Sequence, residues 1–228
     1  MDFPDLPARL AQVRETIAAG QAKGGWTHPV RIVAVTKTHG PEAVRAAVNA
    51  GLTLVGENKV QEALPKMEAT RDLPVEWHLI GSLQRNKVRQ VAGHFALVHS
   101  IDRLELAEEF QKRVPAHTRQ GILVQVNCSG EPQKGGVEPE ACLRFLDEVR
   151  TFDRLDLQGL MTMAEFTDDE SAQRKAFTRL RELRDAGRRA GHPLPELSMG
   201  MSGDHRVAIE EGATLLRLGT LLFGPREP

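Results

Sequence analysis

Eight times in 228 residues a short apolar run gives way to a stretch whose apolar residues fall at helical spacing. The runs are 32–35, 54–57, 76–81, 96–101, 122–127, 157–163, 197–202 and 215–222. Several, such as Ile32-Val33-Ala34-Val35 and Ile122-Leu123-Val124, are continuously apolar and rich in β-branched residues. A strand without alternation is buried on both faces, which is the condition of a parallel sheet covered by helices. Val44, Ala47 and Val48 predict the first intervening helix, with Pro41 at its start and Gly51 beyond its end. Val60, Ala63, Leu64 and Met67 predict the next, which Pro65 is expected to kink or divide. Asp102 and Glu105 make a capping-box pattern ahead of Leu106, Phe110 and Val114, and Asp168, Asp169 and Glu170 suit the positive start of the helix carrying Ala176, Leu180 and Leu183. Eight such units predict the α/β class and a single (β/α)8 TIM barrel. A doubly wound open sheet rarely needs eight units and usually opens on a Gly-rich turn, where this chain has Lys37. Leu6, Leu10, Val13 and Ile17 predict an extra leading helix that ends near residues 23–25. The expected organisation is one unit over 1–228, with the helix and linker in 1–29 and the barrel in 30–224.

Composition removes several classes of function. Thirty Lys and Arg balance 31 Asp and Glu, so no global field draws the chain to nucleic acid or to an anionic membrane. The basic stretch 84–90 lacks interleaved aromatics and reads as a solvated helix face with Val88 turned inward. No segment has the length and apolarity of a membrane span, and the first residues have neither a basic start nor an apolar core, so a cytoplasmic protein is expected. Two cysteines cannot form a disulfide framework; Cys142 falls on the inward stripe of a helix, and Cys128 follows a strand and could be accessible. The eight histidines show no ligand spacing, and no metal is expected. The chain has no tyrosine.

The polar residues at strand ends are the candidates for chemistry, because a barrel gathers them at one mouth. They are Lys37, Glu57, Asn58, His78, Ser100, Asn127, Thr162, Ser202, Arg217 and Thr220. Lys37, just past the first strand, is either a solvated lysine or an amine whose pKa a partly desolvated mouth lowers until it can attack a carbonyl. Ser-Met-Gly-Met-Ser-Gly at the seventh strand and Leu-Gly-Thr at the eighth supply hydroxyls and close-approach glycines where barrels place phosphates, which brings Ser202, Gly219 and Thr220 together. Arg217, among apolar neighbours, needs a partner, either a structural carboxylate or a ligand. The methionines at 161–163 and 199–201 either flank a flat ring or fill core gaps, and His78 is either a base or a satisfied strand histidine. An imine-forming lysine, a phosphate pocket and an arginine between them suggest pyridoxal 5'-phosphate. Lys37 would hold the aldehyde as a Schiff base, Ser202, Gly219 and Thr220 the phosphate, and Arg217 the pyridine nitrogen.

Six stretches, in order from about residue 30 to Gly224, carry a family resemblance: Ala-Val-Thr-Lys-Thr, Gly-Glu-Asn-Lys-Val-Gln-Glu, Trp-His-Leu-Ile-Gly-Ser-Leu-Gln-Arg-Asn-Lys, Gly-Leu-Met-Thr-Met, Leu-Ser-Met-Gly-Met-Ser and Arg-Leu-Gly-Thr. The chain resembles the pyridoxal phosphate homeostasis proteins, the YggS-like group. The resemblance implies one barrel of the alanine racemase type that binds pyridoxal phosphate through Lys37, with Asn58 beside the cofactor, and that serves vitamin B6 and amino-acid homeostasis. Thr36 stands where a serine is common, and Gly40 precedes a proline that usually lies nearer the lysine.

An arginine at the pyridine nitrogen disfavours its protonation and weakens the ring as an electron sink. Racemases of this type add a tyrosine acid/base, often lent by a partner subunit, and a second β domain. A homodimer cannot supply a tyrosine that no copy contains. A binding protein with no catalytic residues is therefore expected, a monomer with pyridoxal phosphate, amino acids and cofactor-dependent apo-enzymes as partners. The alternatives are a racemase-like enzyme and an aldolase-type barrel in which Lys37 attacks a sugar-phosphate carbonyl.

Overall fold

The computed structural model describes residues 3–225, so the outermost residues of the expected 1–228 unit lie outside the described ones. Its elements run in the order α1 (Leu6–Gly24), β1 (Arg31–Val35), α2 (Pro41–Asn49), β2 (Leu54–Glu57), α3 (Val60–Ala69), β3 (Glu76–Leu79), α4 (Val88–Val91), β4 (Leu97–Ile101), α5 (Leu104–Arg113), β5 (Gln120–Gln125), α6 (Cys142–Arg150), β6 (Leu155–Met161), α7 (Glu170–Arg189), β7 (Glu196–Ser198), α8 (His205–Glu210), β8 (Leu215–Leu218) and α9 (Thr220–Phe223). Each strand pairs in parallel with the next, and β8 closes on β1 with Arg31 opposite Leu215 and Ala34 opposite Leu218. The (β/α)8 barrel is the observed fold.

Two apolar cores follow from strands buried on both faces. Inside the barrel Val33, Leu54, Leu97, Leu123, Met161 and Leu215 form one cluster. Between strands and helices lies the larger one, in which Phe110 and Phe177 are fully buried, each worth roughly 1.5–3 kcal/mol of transfer free energy. Helix α1 packs on α8 and α9, and a Cβ on its Gly20 would meet Ile209 Cγ2 at 2.8 Å, so the absent side chain sets how closely α1 approaches α8.

Several elements differ from their sequence patterns. Strand β7 stops at Ser198, and Met199 to Ser202 continue as loop through Gly200 at φ +92°, where a Cβ would lie 2.6 Å from Ala208 Cβ. Strand β8 stops at Leu218, and Thr220 opens a single helical turn instead of extending the strand. Pro65 lies inside α3 without dividing it. The capping box at Asp102 does not form: Arg103 holds the cap position of α5, and the Asp102 carboxylate accepts from Arg103 Nη1 at 2.5 Å. At α7 the acidic start does cap, with Asp169 accepting from the Ser171 amide at 2.8 Å.

Candidate functional site

One cavity of about 630 Å³ opens at the carboxyl ends of the strands, and Lys37, Asn58, Ser202, Arg217, Gly219 and Thr220 all line it. Chain topology produces the convergence. In a closed barrel β1 neighbours both β2 and β8, and β8 neighbours β7, so residues far apart in sequence follow four adjacent strand ends.

Lys37 follows β1 in a tight turn in which the His39 amide donates to the Thr36 carbonyl at 3.1 Å. Thr38, third in that turn, has φ +72°, a left-handed conformation that costs a β-branched residue on the order of 1–3 kcal/mol and persists only when its surroundings hold it. Beneath the turn the buried Lys66 ammonium donates to the Thr36 carbonyl at 2.8 Å and to Glu57 Oε1 at 2.7 Å, and the Thr36 hydroxyl donates to the same Oε1 at 2.6 Å. Asn58 follows β2 at the cavity wall. Gly81 crosses it closely enough that a Cβ would lie 2.2 Å from the Asn58 carbonyl oxygen.

On the adjoining wall, after β7 and β8, the Ser202 hydroxyl accepts from the Leu221 amide at 3.2 Å, which leaves its own proton available for an anionic ligand. Gly219 carries no side chain where a Cβ would press on the Val35 carbonyl oxygen at 3.3 Å. Helix α8 has only six residues, and its cap residue Asp204 accepts from the Met201 amide at 2.5 Å. Side-chain hydroxyls and loop amides, rather than a helix macrodipole, are therefore what this wall offers. Burial raises the pKa of Asp204, against the pull of the Met201 amide and of Arg217.

Arg217 is buried, and its partners are not carboxylates: Nη1 donates to Ser198 Oγ at 2.7 Å and Nη2 to the Thr162 carbonyl at 2.9 Å. Burial lowers its pKa to about 10, with Asp204 opposing the shift, so it stays cationic at neutral pH. Ser198 Oγ lies 2.9 Å from His99 Nδ1, and His99 Nε2 lies 3.0 Å from His78 Nδ1. Strands β4 and β7 are not neighbours, so this polar chain crosses the barrel interior beneath the cavity. Burial pushes His78 down to about 3 and His99 well below its ordinary value, which keeps both imidazoles neutral.

Half of the expected mouth is thus internal. Glu57, His78, Ser100, Asn127 and Thr162 are buried and bonded within the protein: Ser100 donates to the Gly81 carbonyl, Asn127 to that of Glu131 and Thr162 to that of Val126. Of the methionines, Met163 and Met201 face the cavity while Met161 and Met199 are core. Cys128 is half-buried with its thiol pushed up to about 12 by burial, and Cys142 is fully buried. Among the cavity residues with no counterpart among the sequence candidates are Lys134, which donates to the Ala164 carbonyl at 2.5 Å and pairs with Glu131, the fully exposed Phe166, and Asp204. The first two lie on loops after β5 and β6, and the length of the chain between β5 and α6 is the signal that would have pointed to Lys134.

The class defined by this barrel and cavity is that of the alanine racemase N-terminal domain, whose family model matches residues 9–227. An alanine racemase of Clostridium difficile shares the fold at TM-score 0.70 and 15% identity, with 94% of this chain covered and only 57% of that longer chain. A protein of Aquifex aeolicus named pyridoxal phosphate homeostasis protein is 45% identical over 96% of this chain and 97% of its own length. PipY of Synechococcus elongatus, solved with pyridoxal phosphate bound, superposes at TM-score 0.83 with 32% identity, covering 96% of this chain and all of that one. The chain belongs to the pyridoxal phosphate homeostasis protein family.

Proposed function

We propose that this chain binds pyridoxal 5'-phosphate and serves intracellular vitamin B6 and amino-acid homeostasis as a cytoplasmic monomer, folded as one unit, without substantial racemase turnover. The observation that carries the reading is the convergence of Lys37, Asn58, Arg217 and the Ser202–Gly219–Thr220 wall on one cavity. The residues fit the cofactor by their chemistry. Lys37 holds the aldehyde carbon through its amine, Ser202, Gly219 and Thr220 receive the phosphate, Asn58 lies beside the cofactor, and Arg217 faces the pyridine nitrogen. The Arg217 donors meet a hydroxyl and a carbonyl, so no protein carboxylate neutralises its charge within ion-pair distance among the described residues. When bound, pyridoxal phosphate supplies an aldehyde that an amine takes up reversibly and a ring that withdraws electrons from an attached carbon. A cationic Arg217 keeps a proton off the ring nitrogen and so limits that withdrawal. The PipY complex supports the same ligand, and the names of the relatives support a homeostatic role.

Turnover is disfavoured by the side chains themselves. The chain has no tyrosine, His78 is neutral and lies outside the cavity wall, and the Cys128 thiol is held protonated. Amino acids and apo-enzymes are the exchange partners in this reading, and neither nucleic acid nor membrane takes part. Among the described residues no helix is long and apolar enough to cross a membrane. Protein loaded with pyridoxal phosphate should show a visible absorption band that Lys37→Ala abolishes, and a protein that stays colourless with excess cofactor contradicts the reading. Incubated in deuterated water with single-enantiomer amino acids, the loaded protein should leave the α-hydrogen and the configuration essentially unchanged over hours; rapid exchange with racemisation contradicts the absence of turnover.

A further inference from the structure

We infer that Thr36, Glu57 and Lys66 form a buried clamp that positions Lys37 for bonding to the cofactor aldehyde, an inference that rests on the reading of Lys37 as the cofactor lysine. Glu57 is fully buried and Lys66 nearly so, and both lie outside the cavity wall. Burying an ion pair is a poor way to gain stability, because desolvation consumes most of the attraction and an apolar pair of equal volume does as well. What this pair holds is specific. Glu57 Oε1 receives both the Thr36 hydroxyl and the Lys66 ammonium, and Lys66 reaches on to the Thr36 carbonyl, the atom that also closes the turn around Lys37 through the His39 amide. The hydroxyl of Thr36 is held by Glu57 and its carbonyl by Lys66, so both are tied to the same ion pair. The adjoining Thr38 keeps its left-handed backbone, at φ +72°, within the turn so anchored. Among the described residues Glu57 Oε2 has no hydrogen-bond partner, so the bonding of the carboxylate converges on Oε1 and the turn.

The bond-forming step shows what orientation is worth. The neutral Lys37 amine forms a C=N bond to the aldehyde carbon and releases the aldehyde oxygen, carrying both amine protons, as water. Attack requires the nitrogen at a set angle to the carbonyl, and a displacement of an ångström at such a centre costs on the order of tenfold to a hundredfold in rate. Phosphate and ring contacts on the other wall do not depend on that angle. Thr36, Glu57 and Lys66 are therefore positioning residues, whose loss slows bond formation more than it weakens binding of the cofactor body.

The test follows borohydride-trapped pyridoxyl-phosphate mass on the Lys37 peptide against time after mixing, alongside the affinity of pyridoxine 5'-phosphate, which lacks the aldehyde. Lys66→Met and the isosteric Thr36→Val should slow labelling by about tenfold or more while leaving pyridoxine 5'-phosphate affinity within about twofold, and Thr36→Ser, which keeps the hydroxyl, should label near the wild-type rate. Thr36→Val carries the comparison if Lys66→Met does not fold. Labelling at the wild-type rate in Thr36→Val, or a parallel fall in labelling and analogue affinity, overturns the clamp. Wild-type protein that takes up no mass on Lys37 instead overturns the cofactor reading, and the clamp with it.

Discussion

His78 and His99 sit in the middle of the barrel with a ring nitrogen of each 3.0 Å apart, and neither can accept a proton there without a large desolvation cost. The consequence is a pH dependence of a definite sign. Unfolded, His78 takes up a proton near 6.5, whereas folded it does so only near 3. Between those values the unfolded chain binds more protons, so stability is full above the upper value and is lost as pH falls toward the lower one, by at most about 1.4 kcal/mol per pH unit for each imidazole. Urea midpoints measured from about pH 8 to about pH 4 should fall on acidification, and His78→Gln should flatten that acid limb; a midpoint independent of pH over the range contradicts neutral burial. This network could not be read from the sequence, because it joins His99 to Ser198, 99 residues away, through a contact that exists only once the barrel closes. Lys37 was legible for the opposite reason. Its signal is local, a β-branched run that ends on a lysine just before Gly40-Pro41.

At the scale of elements, periodicity found every strand and most helices, since the apolar pattern that buries each element is written in consecutive residues. It misplaced the ends. Leu215 to Leu222 is leucine at five of its eight positions, and such a run alone cannot tell strand from helix; backbone geometry at Gly219, with φ −114° and ψ −85°, makes the turn into α9. That break presents Gly219 and Thr220 to the cavity, so the missed boundary is itself part of the site. The close crossing of β3 and β2 beyond their strand ends is equally invisible in sequence. Gly81→Ala places a Cβ 2.2 Å from the Asn58 carbonyl oxygen, against backbone that cannot move aside cheaply. The substitution should lower stability by roughly 1–3 kcal/mol in denaturant unfolding and weaken cofactor retention by displacing Asn58. Wild-type stability and retention in Gly81→Ala would show that this approach has no consequence.

For the whole molecule, a closed barrel separates two tasks. Apolar packing inside and around the strands holds the scaffold, while most of the cavity residues lie on the loops after the strands, a division that lets the chemistry of the cavity vary without disturbing the scaffold. The family and the fold were readable from six motifs in order; the depth at which each motif residue sits was not, which is why Glu57 and His78, expected at the mouth, prove to be support beneath it. The central claim is that Lys37 alone anchors the cofactor aldehyde. Borohydride reduction of the loaded protein, followed by proteolysis and peptide mass measurement, should place one pyridoxyl-phosphate addition on the peptide containing Lys37 and none elsewhere at stoichiometric cofactor. An unmodified Lys37 peptide, or the addition found on another lysine, would contradict it.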